Sequence, residues 1–279
     1  MTLYICATPI GNLEDASFRL VRILGEVDLI ACEDTRHTVK LLNHFNIKNR
    51  TISYHQHNQR EREDYLIEQL KSGLSVALVS DAGTPGISDP GQLLVKRARQ
   101  EGIKVQIIPG PSALISALVI TGMDSERFVF EGFLPSRGSQ RRKRLRELAA
   151  DTRTLVFYES PNRLTDLLED IEQEWGERQV AVVRELTKIY EEVQSETVSV
   201  IKEHYKNNPA KGEITVVVEG AVITRVERSI EEIAHETLEL IAKGTEKKEA
   251  LRMKALEYDV RRGDIYNHIV ELKNTNKDC

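Results

Sequence analysis

The sequence predicts an α/β protein made of two α/β domains and a small helical appendage at its C-terminal end. Short apolar runs rich in β-branched residues alternate with helical stretches, which is typical of α/β layers. The runs are nearly continuous in apolar character, as expected of strands buried on both faces. Strand-like sequence stops after Gly220, and helical sequence follows.

The strands are predicted from the apolar runs in order along the chain. They cover residues 3–8, 27–32, 51–54, 76–80, 105–108, 128–133, 155–158, 180–184 and 214–218. A break near residues 121–124 follows the fifth strand–helix unit and precedes a new set of strands. Together with the change of character after Gly220, this break predicts three domains, 1–122, 123–225 and 226–279.

Helix starts are predicted from capping residues and prolines. A polar side chain before a proline at the first helical position is a strong start signal, and Ser-x-x-Glu forms a capping box. The signals are Asp89-Pro90, Gly110-Pro111, Ser160-Pro161 and the segment from Ser229 to Glu232. The last of them opens the first of about three helices in the tail.

Composition and charge exclude several classes of protein. With 40% hydrophobic and 30% charged residues, the chain is too apolar for disorder and too rich in charge for a transmembrane protein. The net charge of −5 leaves no overall positive field, so any RNA contact must rest on a local basic patch. Cys6, Cys32 and Cys279 are widely spaced, which argues against a disulfide framework and a zinc cluster. We expect a cytoplasmic protein, since no export signal is visible.

The most unusual segment is residues 80–91, which follows a predicted buried strand and precedes a helix. Its three glycines, Gly83, Gly86 and Gly91, permit positive φ and let the backbone approach a ligand closely. Open α/β sheets bind ligands at the carboxyl ends of their strands. The segment is neither a P-loop nor a GxGxxG motif, so a different cofactor geometry is expected.

Two further strand ends look alike. Residues 8–12 and 109–113 also combine glycine, proline and small side chains directly after a predicted strand. Each could be an ordinary turn. Their joint occurrence with residues 80–91 predicts that three strand ends converge on one pocket.

These segments resemble the tetrapyrrole methylase superfamily, in the branch that modifies ribosomal RNA. The resemblance rests on five motifs in order, at residues 7–15, 32–38, 80–91, 109–113 and 131–135, and covers roughly residues 2–220. It implies two α/β domains with S-adenosyl-L-methionine in the cleft between them, usually in a homodimer. It also implies methyl transfer to the ribose 2′-hydroxyl of a cytidine in the decoding region of 16S ribosomal RNA, within the small ribosomal subunit.

The resemblance also implies the residues that bind the cofactor. They are Pro9, Ala82, Gly83, Thr84, Ile87, Ser112 and Ala113 from the first domain, and Tyr158, Glu159 and Leu186 from the second. Many members of the superfamily carry Gly-Asp-Pro where this chain has Gly83-Thr84-Pro85. A hydroxyl in place of that carboxylate favours an RNA substrate over a corrin.

Candidate catalytic residues follow from the chemistry of methyl transfer, which needs alignment of the acceptor oxygen and no metal. A ribose hydroxyl must lose its proton, so a carboxylate or an imidazole near the cofactor is expected. We predict that Glu33 or Asp34 orients or deprotonates the hydroxyl and that Arg36 binds a phosphate, with Asp81 as a third carboxylate. The alternative that Asp34 only caps the following helix stays open.

A basic cluster supplies the predicted RNA contact. Residues 137–146 hold six basic side chains in ten, directly after the fifth motif. Such clusters are often solvated helix faces, but this one interrupts an acidic protein beside the predicted cleft. The candidate RNA-binding residues are Arg137, Arg141, Arg142, Lys143 and Arg144. His55 and His57 lack a third ligand, so a surface loop or an RNA contact is predicted there rather than a metal site.

The tail resembles the helix-turn-helix-like end of the same family, although residues 258–262 are bulkier than the usual turn. A small helical cap is the alternative. Two other functions remain open: a small-molecule methylase acting on a tetrapyrrole, and a ribosome-assembly protein that binds the cofactor without turnover.

Overall fold

The computed structural model describes residues 1–56, 58–222 and 228–275. The chain forms two compact units, Met1–Ala221 and Val222–Cys279. The predicted boundary between residues 225 and 226 lies outside the described residues, as do His57 and Cys279. The first unit contains both sheets, and its predicted division at residue 122 stays a prediction.

The first sheet consists of five parallel strands in the order β3-β2-β4-β1-β5. The strands are β1 (Thr2–Cys6), β2 (Leu29–Cys32), β3 (Thr51–Ser53), β4 (Ser75–Val79) and β5 (Lys104–Ile108). The helices after them are α1 (Phe18–Glu26), α2 (Thr35–His44), α3 (Gln59–Lys71), α4 (Gln92–Gln100) and α5 (Ala113–Ile120). Because the strands are parallel, their carboxyl ends share one edge of the sheet.

Both faces of this sheet are buried, which explains the continuous apolar runs. Successive side chains of a strand point to opposite faces. In β2, Leu29 and Ala31 therefore join one core, while Ile30 and Cys32 join the other. Cys6 and Cys32 are both buried free thiols.

The second sheet is mixed, in the order β6-β7-β10-β8-β9. Its strands are β6 (Phe128–Phe133), β7 (Thr154–Glu159), β8 (Gln179–Arg184), β9 (Glu192–Thr197) and β10 (Ile214–Val218). β6 and β7 are parallel, and the other pairs are antiparallel. The helices of this part are α6 (Gly138–Leu148), α7 (Pro161–Trp175) and α8 (Val198–Asn207).

Most predicted strands are confirmed to within one or two residues, but β9 was not predicted. Its sequence, Glu-Val-Gln-Ser-Glu-Thr, is polar because β9 pairs only with β8 at the edge of the sheet, and none of its residues is fully buried. An edge strand of this kind lacks the apolar signal of a central strand.

Two of the predicted helix starts are wrong by two or more residues. α4 begins at Gln92, after Gly91 at φ 146°, so Asp89 lies in the preceding loop. α5 begins at Ala113 rather than at Pro111. The start at Ser160-Pro161 is confirmed, with Pro161 as the first residue of α7.

The second unit contains the three helices predicted for the tail, α9 (Ile230–Ala242), α10 (Lys247–Tyr258) and α11 (Arg262–Thr275). The capping box is confirmed, since the amide of Glu232 donates to Ser229 Oγ at 3.2 Å and the amide of Ser229 donates to Glu232 Oε2 at 2.9 Å. Ile233, Leu251 and Ile265 belong to the small core of this unit. Within the described part of the chain, no helix combines the length and apolar character that a membrane span requires.

Candidate functional site

A cavity of about 480 Å³ lies in the first unit, beyond the carboxyl ends of β1, β2 and β4. Its opposite wall comes from the second sheet, at the ends of β6, β7 and β8 and the start of β10. This volume is typical of small-molecule sites. Ile10, Val183 and Leu186 give part of the wall an apolar character.

The loops after β1 and β4 are joined by a short backbone bridge. The amide of Thr8 donates to the carbonyl of Gly83 at 2.9 Å, and the amide of Gly83 donates to the carbonyl of Thr8 at 3.1 Å. The hydroxyl of Thr8 donates to the carbonyl of Ser80 at 3.2 Å. Gly83 has φ 75°, a conformation that favours glycine. Gly83 therefore presents its backbone, and no side chain, to the cavity.

The loop after β8 meets the loop after β1 at Gly11. A Cβ at Gly11 would lie 2.7 Å from the carbonyl oxygen of Leu186 and 2.6 Å from Cγ of Lys188, so no side chain fits there. The two residues that flank Leu186, Glu185 and Thr187, have φ values of 51° and 65°. Strained backbone of this kind is found at ligand clamps. Leu186, which lies between these two residues, is part of the cavity wall.

The sequence-predicted cofactor residues lie together with one exception. Those that line the cavity are Ala82, Gly83, Thr84, Ile87, Ser112, Ala113, Tyr158, Glu159 and Leu186. Pro9 is buried, and its neighbour Ile10 lines the cavity instead. The three strand ends thus converge, while the cofactor contacts themselves stay a prediction.

Three carboxylates from two loops face the same part of the cavity: Glu33, Asp81 and Asp89. Burial raises the pKa of Asp89 from 3.8 to about 7, and the negative charges of Glu33 and Asp81 add to the effect. Burial, followed by the charge of Asp81, also raises the pKa of Glu33. Asp89 is not among the predicted site residues because the dipeptide Asp89-Pro90 predicts a helix start. Its position inside the glycine-rich segment was the signal that could have identified it.

Asp34 and Arg36 do not line the cavity. Asp34 is the N-cap of α2, where its Oδ1 accepts from the amide of Arg36 at 2.8 Å and its Oδ2 accepts from Arg36 Nη2 at 2.7 Å. Hydrogen bonds from Arg36 lower the pKa of Asp34 to about 2. The side chain of Arg36 is 88% exposed. The helix-capping alternative therefore describes Asp34 as the structure has it, and only its backbone amide, which donates to Asp81 Oδ1 at 3.1 Å, reaches a residue of the cavity.

Glu159 brings a buried carboxylate to the opposite wall. Its Oε1 accepts from the amide of Ser160 at 2.7 Å. Its Oε2 forms an ion pair with Arg163 Nη2 at 3.2 Å, and the same nitrogen donates to the carbonyl of Leu134 at 2.7 Å. Burial raises the pKa of Glu159. Glu159 thus places a buried, ion-paired carboxylate in the wall of the cavity.

The charged residues that line the cavity are all acidic, although Glu159 and Glu213 are ion-paired with Arg163 and Lys188 from outside the lining. Among the residues that the structure describes, no lysine, arginine or histidine lines the cavity. Five carboxyl-bearing residues do: Glu33, Asp81, Asp89, Glu159 and Glu213. A cationic ligand fits such a wall, and an isolated phosphate does not. In residues 1–56, 58–222 and 228–275, no group of three or more His, Cys, Asp or Glu side chains is arranged to hold a metal ion.

The predicted basic cluster on α6 is largely occupied by internal ion pairs. Arg141 is buried, and its Nε donates to Asp170 Oδ2 at 2.6 Å, while Arg142 Nη1 donates to Asp170 Oδ1 at 3.2 Å. Arg144 binds Glu131 through two hydrogen bonds of 2.8 Å. The remaining two predicted residues, Arg137 and Lys143, are exposed. Burial and pairing remove Arg141 from the surface that RNA could contact.

Known proteins of similar sequence and structure complete the description of the site. Residues 2–202 match the family model of Tetrapyrrole (Corrin/Porphyrin) Methylases. The chain is 47% identical over 273 residues to ribosomal RNA small subunit methyltransferase I of Halalkalibacterium halodurans, covering 95% of this chain and 93% of that protein. It is 45% identical to the protein of the same name from Synechocystis sp., covering 97% and 98%.

Solved structures with the same fold are much more distant in sequence. A cobalt precorrin-4 methyltransferase matches with a TM-score of 0.61 at 15% identity, covering 78% of this chain and 94% of that chain. A diphthine synthase matches with a TM-score of 0.60 at 17% identity, covering 78% and 89%. At this identity the likeness concerns the fold alone.

Proposed function

Because this chain belongs to the tetrapyrrole methylase family, we propose that it transfers a methyl group from S-adenosylmethionine to the ribose 2′-hydroxyl of a cytidine in 16S ribosomal RNA. Relatives matched over nearly their whole length carry the name ribosomal RNA small subunit methyltransferase I, which supports the substrate class. The chain is a methyltransferase. The proposal concerns the identity of the methyl donor and of the atom that accepts the methyl group.

The observation that carries the donor assignment is the acidic cavity, which is lined by five carboxyl-bearing residues and by no lysine, arginine or histidine of the described chain. S-adenosylmethionine supplies a reactive methyl group on a positively charged sulfur. Because none of the described lysines, arginines or histidines lines the cavity, the carboxylates of Glu33, Asp81 and Asp89 attract such a cation. The residues present therefore fit this methyl donor.

The chain's own groups then have separate tasks. Gly83 and Thr84 bring backbone close to the ligand, since residue 83 has no side chain and lies in the wall. The apolar side chains of Ile10, Val183 and Leu186 keep water from the reacting atoms. A carboxylate of the cavity takes the proton of the acceptor hydroxyl.

RNA binding is proposed at the exposed members of the basic cluster, Arg137 and Lys143. Phosphate contacts from lysine and arginine are salt-dependent and position the nucleic acid. With a net charge of −5, the protein must make these contacts locally. A homodimer is also proposed, and exposed Ile115 and Val119, one turn apart on α5, support it as an apolar surface suited to a second copy.

The test presents the protein with labelled S-adenosylmethionine and three acceptors: undermodified small ribosomal subunits, protein-free 16S RNA and a uroporphyrinogen. We expect label in a 2′-O-methylated cytidine of the RNA. Label in the tetrapyrrole would favour the small-molecule alternative. Binding of S-adenosylhomocysteine without any transfer would favour a ribosome-assembly protein.

A further inference from the structure

An exposed aromatic ring stands at the mouth of the cavity. Phe133, the last residue of β6, is 57% exposed although it lines the cavity. Its ring centroid lies 5.7 Å from that of Tyr158 at an interplanar angle of 58°. Tyr158 is itself fixed, because its hydroxyl accepts from the amide of Leu114 at 3.1 Å and its ring packs against Phe130 at 4.9 Å. Phe133 is therefore held from one side and open on another.

Asp89 lies at the same corner. Ser88 Oγ is 3.4 Å from the position that a Cβ on Gly132 would occupy, so the loop before α4 touches β6 next to Phe133. The register of β6 against β7 shifts between Phe130 and Gly132, at the same place. Asp89 is also close enough to Tyr158 that its charge adds to burial in raising the pKa of the Tyr158 hydroxyl.

We propose that Phe133 and Asp89 form the acceptor subsite, where an unpaired pyrimidine nucleotide stacks its base on Phe133 and gives its 2′-hydroxyl proton to Asp89. This proposal rests on the proposed function and deepens it. Enzymes that modify a nucleotide take it out of the base stack, and the unstacked base is held on an aromatic side chain. Arg137, which is exposed and follows Phe133 by four residues, is the basic residue proposed to contact a neighbouring phosphate.

The step balances without a further reactant. The ribose oxygen forms a bond to the methyl carbon, the carbon–sulfur bond breaks, and its electron pair remains on sulfur as a neutral sulfide. The hydroxyl proton moves to an Oδ of Asp89. The products are a methyl ether, a thioether and a protonated carboxyl group.

The groups that surround Asp89 suit it to this task. Glu33 faces it from the end of β2, Asp81 from the end of β4, and Tyr158 from β7. With a pKa of about 7, Asp89 is a stronger base than an ordinary carboxylate and is still ionised in part at neutral pH. Asp34, paired with Arg36 outside the cavity, has a pKa of about 2 and is a weak base.

The stacking contact is tested with Phe133→Ala and Phe133→Trp, with undermodified small ribosomal subunits as substrate. Loss of one stacked base is expected to raise KM roughly 5- to 100-fold. The affinity for S-adenosylhomocysteine should not change, and tryptophan should restore KM. Phe18→Ala is the matched control, since Phe18 is an equally large ring that is 97% exposed on α1 and outside the cavity. An unchanged KM in Phe133→Ala, or a parallel loss of S-adenosylhomocysteine affinity, would overturn the assignment.

The proton acceptor is tested with the pH dependence of kcat. In the wild type, kcat should rise with pH through about 7 and then level off, as Asp89 ionises. Asp89→Asn should lower kcat about 100-fold or more and abolish this rise, while S-adenosylhomocysteine still binds. Asp64→Asn, on the exposed face of α3, is the control. If Asp89→Asn does not fold, the wild-type profile decides, because the absence of an ionisation near 7 contradicts the proposal.

Failure of this subsite and failure of the proposed function give different results. A wild-type protein that neither binds S-adenosylhomocysteine nor labels RNA would refute the function. A wild-type protein that does both, with variants at Phe133 and Asp89 that behave like it, would refute the subsite alone.

Discussion

The segments that follow β2 and β4 leave neighbouring strands at the same edge of the first sheet, yet one aspartate in each has the opposite environment to the other. After β2, Asp34 turns to Arg36 and caps α2. After β4, Asp89 turns into the cavity, toward Glu33 and Asp81. Two aspartates with the same ordinary pKa of 3.8 thus reach about 2 and about 7.

The difference shows that position after a strand does not decide what a carboxylate does. Asp34 has a guanidinium and a backbone amide two residues away, and both stabilise its charge. Asp89 has burial and like charges around it, and both destabilise its charge. The first carboxylate serves the helix, and the second is available for chemistry.

The largest expected effect tests whether the loop after β4 is the ligand side of this edge. Gly83→Ala and Gly102→Ala both place a Cβ on a residue with a left-handed φ, 75° and 69°. Each should lower the free energy of unfolding by about 1–2 kcal/mol. Only Gly83 lies in the cavity wall, so only Gly83→Ala should weaken S-adenosylhomocysteine binding in calorimetry, by roughly tenfold or more. Equal affinity in the two variants would break the comparison.

A smaller effect concerns stability at Asp89. Because its pKa is raised in the folded protein, stability is fully present below pH 3.8 and is lost as the pH rises through about 7. Asp89→Asn cannot ionise and escapes this loss. The variant should therefore be more stable than the wild type in urea at about pH 8, with the difference vanishing toward acid pH. A variant less stable at both ends of this range would contradict the assignment of Asp89 as a destabilised carboxylate.

The smallest effect concerns Asp34 and has the opposite sign. Its pKa is lowered, so the ionised carboxylate contributes stability above pH 3.8 that is lost as the pH falls through about 2. Asp34→Asn keeps a capping side chain but loses the charge that Arg36 binds. We expect a slightly lower midpoint of urea unfolding at neutral pH, with a difference that vanishes as the pH falls below about 2. If Asp34→Asn were more stable than the wild type at neutral pH, the charge of Asp34 would be destabilising like that of Asp89, and the two segments would not differ.

Most strands of the two sheets could be predicted because a central strand, buried on both faces, has a continuous apolar sequence. β2 and β10 are buried along their whole length, and their apolar runs predicted them to within two residues. β9 lies at an edge, where half of its environment is solvent, and its polar sequence resembled a loop. The three glycine-rich strand ends also converge as predicted, because parallel strands end at one edge of the sheet.

Side-chain partners could not be predicted, because they come from distant positions. Nothing near Arg141 in the sequence announces Asp170, which lies 29 residues away and removes this arginine from the surface. Asp89 preceded a proline, and the same dipeptide serves equally as a helix start or as part of a loop. Only the positive φ of Ser88 and Gly91 shows that the helix is delayed to Gln92.

The contact at Gly11 restricts how the protein can change. On one side of this contact, residue 11 has no room for a side chain. On the other side, Glu185 and Thr187 adopt a left-handed conformation. A methyl group added on one wall would act as a wedge unless the other wall moved back. The width of the cleft is thus a shared property of two distant segments, and substitutions that alter it are expected to be tolerated only in pairs.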